Sequence, residues 1–384
     1  SLARAAGEGG RGFARPGEGS SASLKRDKAV TRALTTWFEK AVRPLPWRTD
    51  FSQPPTPRDP YHNLVAESMA QQTQLSRVIP KYERFIARFP TVAALAAADE
   101  GDVLALWSGL GYYRRARSLH AAAKAVVAEH GGVVPGTAAT LATLPGIGRY
   151  TAGSLASIVF GERTPLVDGN VTRVLLRLEG RHDLVEPKPA AEFAWSRAEE
   201  LVEVAEKPGR FNEGLMELGA SICAAPPAKP DCPACPLKKW CKAFAEGTQD
   251  RIPAPKKAKA TPTVRCATLV VRDKQGRFLL EQRPPKGMWA SMWQCPTLER
   301  DGEISADELR AFAQMRSVDP GSLKKIGAFT HQTTHRRVEF AVFSAVAVVC
   351  TRKRVVTRWV SRGEVGTVGI SNAQIKAMRL AAPE

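Results

Sequence analysis

The sequence predicts a multi-domain protein, an all-α half followed by an α+β half, on three observations. Between Asp27 and Ala245 apolar residues recur every three or four positions. Residues 247–264, "GTQDRIPAPKKAKATPTV", then combine prolines, lysines and small residues without a period. Beyond them, short runs rich in β-branched and aromatic residues replace the helical pattern. At 384 residues the chain suits two or three domains, each able to bury its own core.

Residues 1–26 begin "SLARAAGEGGRGFARPGEGSSASL", rich in Gly, Ser, Arg and Glu and without an apolar h-region, so a flexible tail is expected and not a signal peptide. Ser1 in the place of a methionine suggests a processed chain. The helical half follows in "AVTRALTTWFEKAV", "SRVIPKYERFIARF", "TVAALAAADEGDVLALW" and "RARSLHAAAKAVVAEH", each with an apolar stripe for one helix face. After the linker, "RCATLVVR" and "RFLLEQR" flank the turn-forming "DKQG". "ISADELRAFAQM" reads as a helix and "VEFAVFSAVAVV" as a strand.

Lys and Arg number 56 against 38 Asp and Glu, a net charge of +18. The pI of about 9.9 favours a polyanionic partner. No apolar run reaches the length of a membrane span and no lipidation signature stands at either end, so no membrane partner is expected. Of seven cysteines, four crowd into residues 223–241 while Cys266, Cys295 and Cys350 are scattered. That usage points to a reducing, intracellular compartment and not to a secreted disulfide framework.

Two motifs carry chemistry. In "LPGIGRYTAG", residues 144–153, a Gly146-x-Gly148 turn opens a helix whose first N–H groups have no intrahelical partner. Such groups suit a phosphate oxygen, and Arg149 adds charge; an ordinary helix–helix turn closed by glycine has the same form, so other residues must decide. Cys223, Cys232, Cys235 and Cys241 form C-x8-C-x2-C-x5-C, and four thiolates at this spacing bind zinc or an iron–sulfur cluster.

The deciding strings are "AESMAQQTQL", "LWSGLGYYRRARSLH", "PLVDGNVTRVL" and "FNEGLMELGASIC". Together with the Gly-x-Gly turn they resemble the MutY-type adenine DNA glycosylases of the helix-hairpin-helix superfamily, over roughly residues 27–350. The resemblance implies a helix-hairpin-helix glycosylase domain over 27–246: a six-helix barrel near 51–162, joined to an iron–sulfur helical module of 27–50 and 163–246. After the linker, a Nudix-like lesion-recognition domain is implied over 265–384. On matching positions Glu67 is the general acid and Asp168 the second carboxylate. The reaction needs such a pair, because a purine leaves only when its ring nitrogen is protonated and the sugar then becomes an oxocarbenium-like cation. Tyr150 stands where lyase-type relatives resembling endonuclease III carry the lysine that attacks the sugar, and tyrosine forms no Schiff base.

The resemblance further implies that Gln71, Gln72, Thr73, Leu110 and Tyr112 enter the DNA stack or flank the extruded nucleotide. Gly146, Gly148, Arg149 and Asn170 complete the DNA contacts of the helical half. It selects a 4Fe-4S cluster on the four cysteines, although the family's usual first gap is six residues and "AAPPAKPD" makes it eight. In the second domain "EQRPPKGMWASMWQCP" matches a Nudix core strand and loop, yet "ISADELRAFAQM" lacks the REx2EE metal pattern, so no nucleotide hydrolysis is expected. Thr333, Thr334 and His335 occupy the place of the family's Phe-Ser-His, with Thr334 and His335 as the expected lesion readers. The implied function is monofunctional excision, in base excision repair, of adenine mispaired with 8-oxoguanine or guanine. The implied setting is intracellular and DNA-associated (cytoplasm or nucleoid in a bacterium), with a monomeric enzyme on double-stranded DNA. Two other readings stand beside it: an endonuclease III-like glycosylase/lyase for oxidised pyrimidines, and a catalytically idle DNA-binding protein with a redox cluster.

Overall fold

The computed structural model describes residues 21–48, 57–254, 261–333, 335–348 and 356–381. In chain order the helices are α1 (Ser21–Ala41), α2 (Pro60–Ala70), α3 (Leu75–Arg88), α4 (Val92–Ala96), α5 (Glu100–Trp107), α6 (Arg114–His130), α7 (Ala138–Leu141), α8 (Arg149–Ile158), α9 (Gly169–Leu178), α10 (Pro187–Val204), α11 (Pro208–Ser221) and α12 (Lys242–Ala245). Strands β1 (Thr263–Val271), β2 (Phe278–Gln282), β3 (Trp293–Gln294) and β4 (Thr297–Arg300) follow, then α13 (Ala306–Met315), β5 (Lys324–Gln332), β6 (Arg337–Ala345), β7 (Thr357–Val360) and α14 (Asn372–Ala381).

The chain divides into two compact units, and their boundaries cut across the barrel and module drawn from the sequence. The first unit takes Ser1–Pro60, Gly136–Thr143 and Ile147–Lys256; the second takes Tyr61–Pro135, Leu144–Gly146 and Lys257–Glu384. Helix α8 therefore groups with α1 and α9 to α12, and α2 to α6 group with the strand-rich domain.

In the first unit α1, α8, α9, α10 and α11 enclose one apolar core that includes Leu34, Leu166, Val171, Leu175, Leu201, Phe211 and Leu215. Local chemistry sets the helix starts. Asp168 caps α9 by accepting from the Val171 N–H, and Pro187 and Pro208 open α10 and α11 where a missing N–H costs nothing. Buried Glu213 and Glu217 on α11 bind the chain before α2: Arg58 pairs with Glu213, and Arg43 and Arg48 with Glu217. Helix α1 starts at Ser21, inside the expected tail, because Arg26 and Asp27 belong to a network that the tail's composition conceals. Arg26 pairs with Glu179 at 2.9 Å, and Arg197 joins Asp27 and Glu179. The expected linker is likewise shorter, since Ile252 is 1% exposed and packs with Leu176, Ala190 and Ala243.

In the second unit Phe85, Phe89, Trp107, Leu64 and Leu119 form the core of the helical part, with Phe85 edge-on to both Phe89 and Trp107. The remainder carries a four-stranded sheet in the order β4-β1-β6-β5 and a three-stranded sheet in the order β3-β2-β7. Strands β1 and β6 run parallel, with Val264 opposite Val338, while the other pairings are antiparallel. The "DKQG" turn forms as read, its Asp273 carboxylate accepting from the Gln275 and Arg277 N–H groups. Helix α13 begins with a capping box in which Ser305 and Glu308 satisfy each other's backbone donors. Glu308 also pairs with Arg300 and Asp307 with Arg310, so both acids of the would-be Nudix metal helix serve local structure.

Candidate active site

Asp168 is half-buried at the start of α9, where its Oδ1 accepts the Val171 N–H at 2.7 Å. The Asn170 side-chain amide donates to Oδ2 at 3.5 Å, while its carbonyl accepts from Arg173 Nη2 at 2.8 Å. The donor–donor clash with Arg173 that the flipped amide would suffer fixes this orientation. Arg173 spends its other donors on the Gly219 carbonyl, at 2.7 Å, and the Cys223 carbonyl, at 2.9 Å. A continuous polar chain thus joins the carboxylate to the first clustered cysteine. Nothing in the sequence singled out Arg173, and only its spacing of three residues from Asn170 on one helix face could have done so.

Tyr150, in the first turn of α8, packs against the core of the first unit and donates its hydroxyl to Met216 Sδ at 3.2 Å. Beside it the Arg149 guanidinium lies 3.8 Å over the Trp195 ring, which holds the charge at the mouth of the turn. The two glycines of that turn have different reasons. Gly146 has φ +75, and a Cβ there would fall 2.3 Å from Ser118 Cβ, so the backbone demands glycine. Gly148, the N-cap of α8, has φ −88 and open space where a Cβ would stand. Its bareness leaves the α8 N–H groups approachable.

Cys223, Cys232, Cys235 and Cys241 line a single cavity walled by Val174, Leu218, Leu237 and Phe244. All four thiols are free of disulfides. Burial pushes Cys235 up to about 12 and raises Cys232 and Cys241, so a thiolate set here requires positive charge beside it. Arg177 supplies part of it: Nη1 donates to Cys223 Sγ at 3.2 Å, and buried Nη2 has no protein partner. Among the described residues no three His, Cys, Asp or Glu side chains converge as ligands of one metal ion.

The second unit carries the remaining candidates. Glu67 is half-buried on α2, between the buried Ala66 and Ser68. Gln71, Gln72 and Thr73 make the turn after α2, with Gln72 exposed at φ +53. Leu110 and Tyr112 lie in the loop between α5 and α6. Tyr112 is 41% exposed at φ +47, whereas Leu110, expected at the DNA stack, is 6% exposed and folded back by its N–H bond to the Trp107 carbonyl.

Arg115 ties the two segments together, and no motif in the sequence marks it. Its Nη1 donates to the Ser68, Met69 and Gln71 carbonyls, and its Nη2 to Thr73 Oγ1 and the Leu110 and Gly111 carbonyls. The guanidinium also sits 5.4 Å over the Tyr112 ring. Burial lowers its pKa to about 10, which still leaves it charged at neutral pH.

His335 is exposed at the tip of the β5–β6 hairpin; Thr334 lies outside the described residues. Thr333, which stands where the family has an aromatic, closes the hairpin: its Oγ1 donates to the Arg336 carbonyl and accepts from the Arg336 N–H. Among the described residues no helix is long and apolar enough to cross a membrane.

Residues 65–205 match the HhH-GPD superfamily of base excision DNA repair proteins and residues 267–380 the NUDIX domain. The chain is 34% identical to the adenine DNA glycosylase of Rattus norvegicus over 409 residues, 92% of this chain and 78% of that protein. To the Homo sapiens adenine DNA glycosylase it is 32% identical over 421 residues, 94% of this chain and 76% of that one. A solved thermostable thymine-DNA glycosylase superposes with a TM-score of 0.51 at 29% identity, over 59% of this chain and 100% of its own. With a third of its residues shared with such relatives across both halves, the chain belongs to the adenine DNA glycosylase family.

Proposed function

We propose that the protein is a monofunctional DNA glycosylase that extrudes and excises adenine mispaired with 8-oxoguanine, or with guanine, acting as a monomer on double-stranded DNA inside the cell. Glu67 protonates the leaving purine, and Asp168 stabilises the oxocarbenium-like sugar. The N–H bond of Val171 and the Asn170–Arg173 relay hold Asp168 aimed along one direction. The first turn of α8, with Gly148 and Arg149, takes a phosphate; Gln72 and Tyr112, both exposed in left-handed backbone conformations, probe the stack, with Gln71, Thr73 and Leu110 shaping the surface around them. Thr334 and His335 read the partner base. Cys223, Cys232, Cys235 and Cys241 hold a 4Fe-4S cluster. When bound, that group cross-links residues 223–241 and brings redox capacity. The fit rests on four thiols around one cavity beside the cationic Arg177.

The observation that carries the monofunctional reading is Tyr150, a phenol bonded to Met216 where a lyase needs a free amine. Duplex with A opposite 8-oxoguanine should release adenine and leave a strand that breaks only after alkali, and borohydride should trap no covalent adduct. Strand breakage without alkali together with a trapped adduct would instead establish the lyase.

A further inference from the structure

The loop between α5 and α6 that displays Tyr112 turns freely at Gly109 (φ +95) and Gly111 (φ +72) but holds Tyr112 (φ +47) in a costly left-handed conformation. Such a loop persists only where its surroundings over-determine it. From within, Trp107 Nε1 donates to the Gly111 carbonyl at 3.1 Å and Arg115 holds the Leu110 and Gly111 carbonyls. The remaining tie comes from the strand-rich domain of the same compact unit. Ser108 Oγ donates to the Ile370 carbonyl at 3.1 Å, and the Tyr113 hydroxyl donates to the same oxygen at 3.3 Å. One carbonyl, two residues before α14, thus uses both lone pairs to pin both ends of the displayed loop.

The surroundings make this a designed attachment and not a glancing contact. The Ile370 side chain is fully buried in the domain's core with Val360 and Ala377, and its backbone bridges Trp293 at the end of β2's partner strand. Burial raises the pKa of the Tyr113 hydroxyl, which therefore stays a donor. A second tie lies alongside, where Arg117 donates to the Ala290 carbonyl and pairs with Glu100 at 3.0 Å. Ala290 sits between Trp289 and Ser291, both left-handed, in the loop after β2; Trp289 packs 5.8 Å from His331 on β5, the strand that leads to the hairpin bearing His335. The hairpin bearing His335 and the Tyr112 loop are therefore linked through contacts within one unit.

We propose that Ser108 and Tyr113 are specificity-determining positioning residues: through the Ile370 carbonyl the Nudix-like domain sets the Tyr112 loop, so that reading of the partner base governs how the helical part engages the mispair. The inference rests on the proposed preference for A opposite 8-oxoguanine. Neither residue touches DNA in this account; each acts through the loop between them.

The test uses the full chain and single-turnover rates, with enzyme in excess of duplex but below saturation, on two duplexes, A opposite 8-oxoguanine and A opposite G, for wild type, Ser108→Ala, Tyr113→Phe, the double variant and Ser108→Thr. Loss of one neutral hydrogen bond corresponds to roughly a 2- to 12-fold change. The ratio of the two rates should fall by that factor in each single hydroxyl deletion, with the A opposite G rate held within about twofold. Ser108→Thr, which keeps the hydroxyl, should retain the wild-type ratio. Combining Tyr113→Phe with His335→Ala should lower the ratio by less than the product of the separate effects, because both interrupt one route. Unchanged ratios in folded Ser108→Ala and Tyr113→Phe, or equal loss on both duplexes, would overturn the inference, and Ser108→Ala alone suffices if the tyrosine variant does not fold. A wild-type ratio near one would instead overturn the proposed preference.

Discussion

Gly148→Asp separates a phosphate site from an ordinary turn, because the structure allows the substitution without strain. At φ −88 and ψ 173 any residue fits, and the new Cβ meets no atom within 4 Å. Aspartate is a better N-cap than glycine by a few tenths of a kcal/mol, so the thermal midpoint should hold or rise slightly. A carboxylate about 5 Å from a bound phosphate costs roughly 0.8 kcal/mol at the dielectric of water and about 3.3 kcal/mol at an effective value of 20, a loss of about 4- to 280-fold in affinity. Fluorescence anisotropy with an undamaged duplex at low salt is the assay, and the deficit should shrink as salt screens it. Gly146→Ala provides the contrast: its methyl would stand 2.3 Å from Ser118 Cβ at φ +75, so it should lower the melting temperature by the left-handed penalty and the clash together. Wild-type affinity in a folded Gly148→Asp protein would refute the reasoning and return the turn to a purely structural part.

Glu67→Gln should reduce single-turnover adenine release by about 10²–10⁴-fold while duplex affinity stays near wild type; an unchanged rate would move the acid elsewhere. Pure protein should be brown with broad visible absorption, whereas a colourless, fully active preparation with one zinc per chain would reject the cluster. Arg173→Met strands the buried Gly219 carbonyl and the half-buried Cys223 carbonyl and frees Asn170, at about 1–3 kcal/mol for the buried unmet group, so denaturant midpoints and the catalytic rate should fall together. Burial alone would raise the Glu179 carboxyl, but the guanidinium groups of Arg26 and Arg197 outweigh it and hold the pKa below the ordinary carboxylate range. A depressed folded-state pKa means stability that is present above the unfolded value and lost as pH falls through the folded one. Melting temperature should therefore drop on acidification through that range, and Glu179→Gln should flatten the drop.

The local grammar of the fold was open to reading wherever one residue or one period decides the outcome. The Asp273 turn and the apolar stripes of α1, α3 and α6 follow from neighbours in sequence, and they formed where that chemistry put them. What escaped were long-range partnerships of charged residues. Arg115, Arg173 and Arg197 look like surface arginines in a chain of +18, and only the fold reveals that each is held by several distant groups. The same holds for Ser21–Arg26 and Ile252, which composition assigned to tail and linker but which pairing and packing draw into the first unit. At the site, residue types were legible through family resemblance, while their supports were not. Leu110 shows the limit most plainly: its place in "GLGYY" marks a displayed loop, yet the turn buries it and leaves Tyr112 outside.

The central claim is that adenine leaves through the paired action of Glu67 and Asp168 without any amine attacking the sugar. Single-turnover reaction of a labelled duplex with A opposite 8-oxoguanine, split into samples with and without alkali, tests it most directly. Wild type should give full-length strand without alkali and complete cleavage at the adenine site after it, and Glu67→Gln should leave intact strand in both samples over the same time. Cleavage without alkali, or intact strand in both samples from brown and folded wild-type protein, would contradict it.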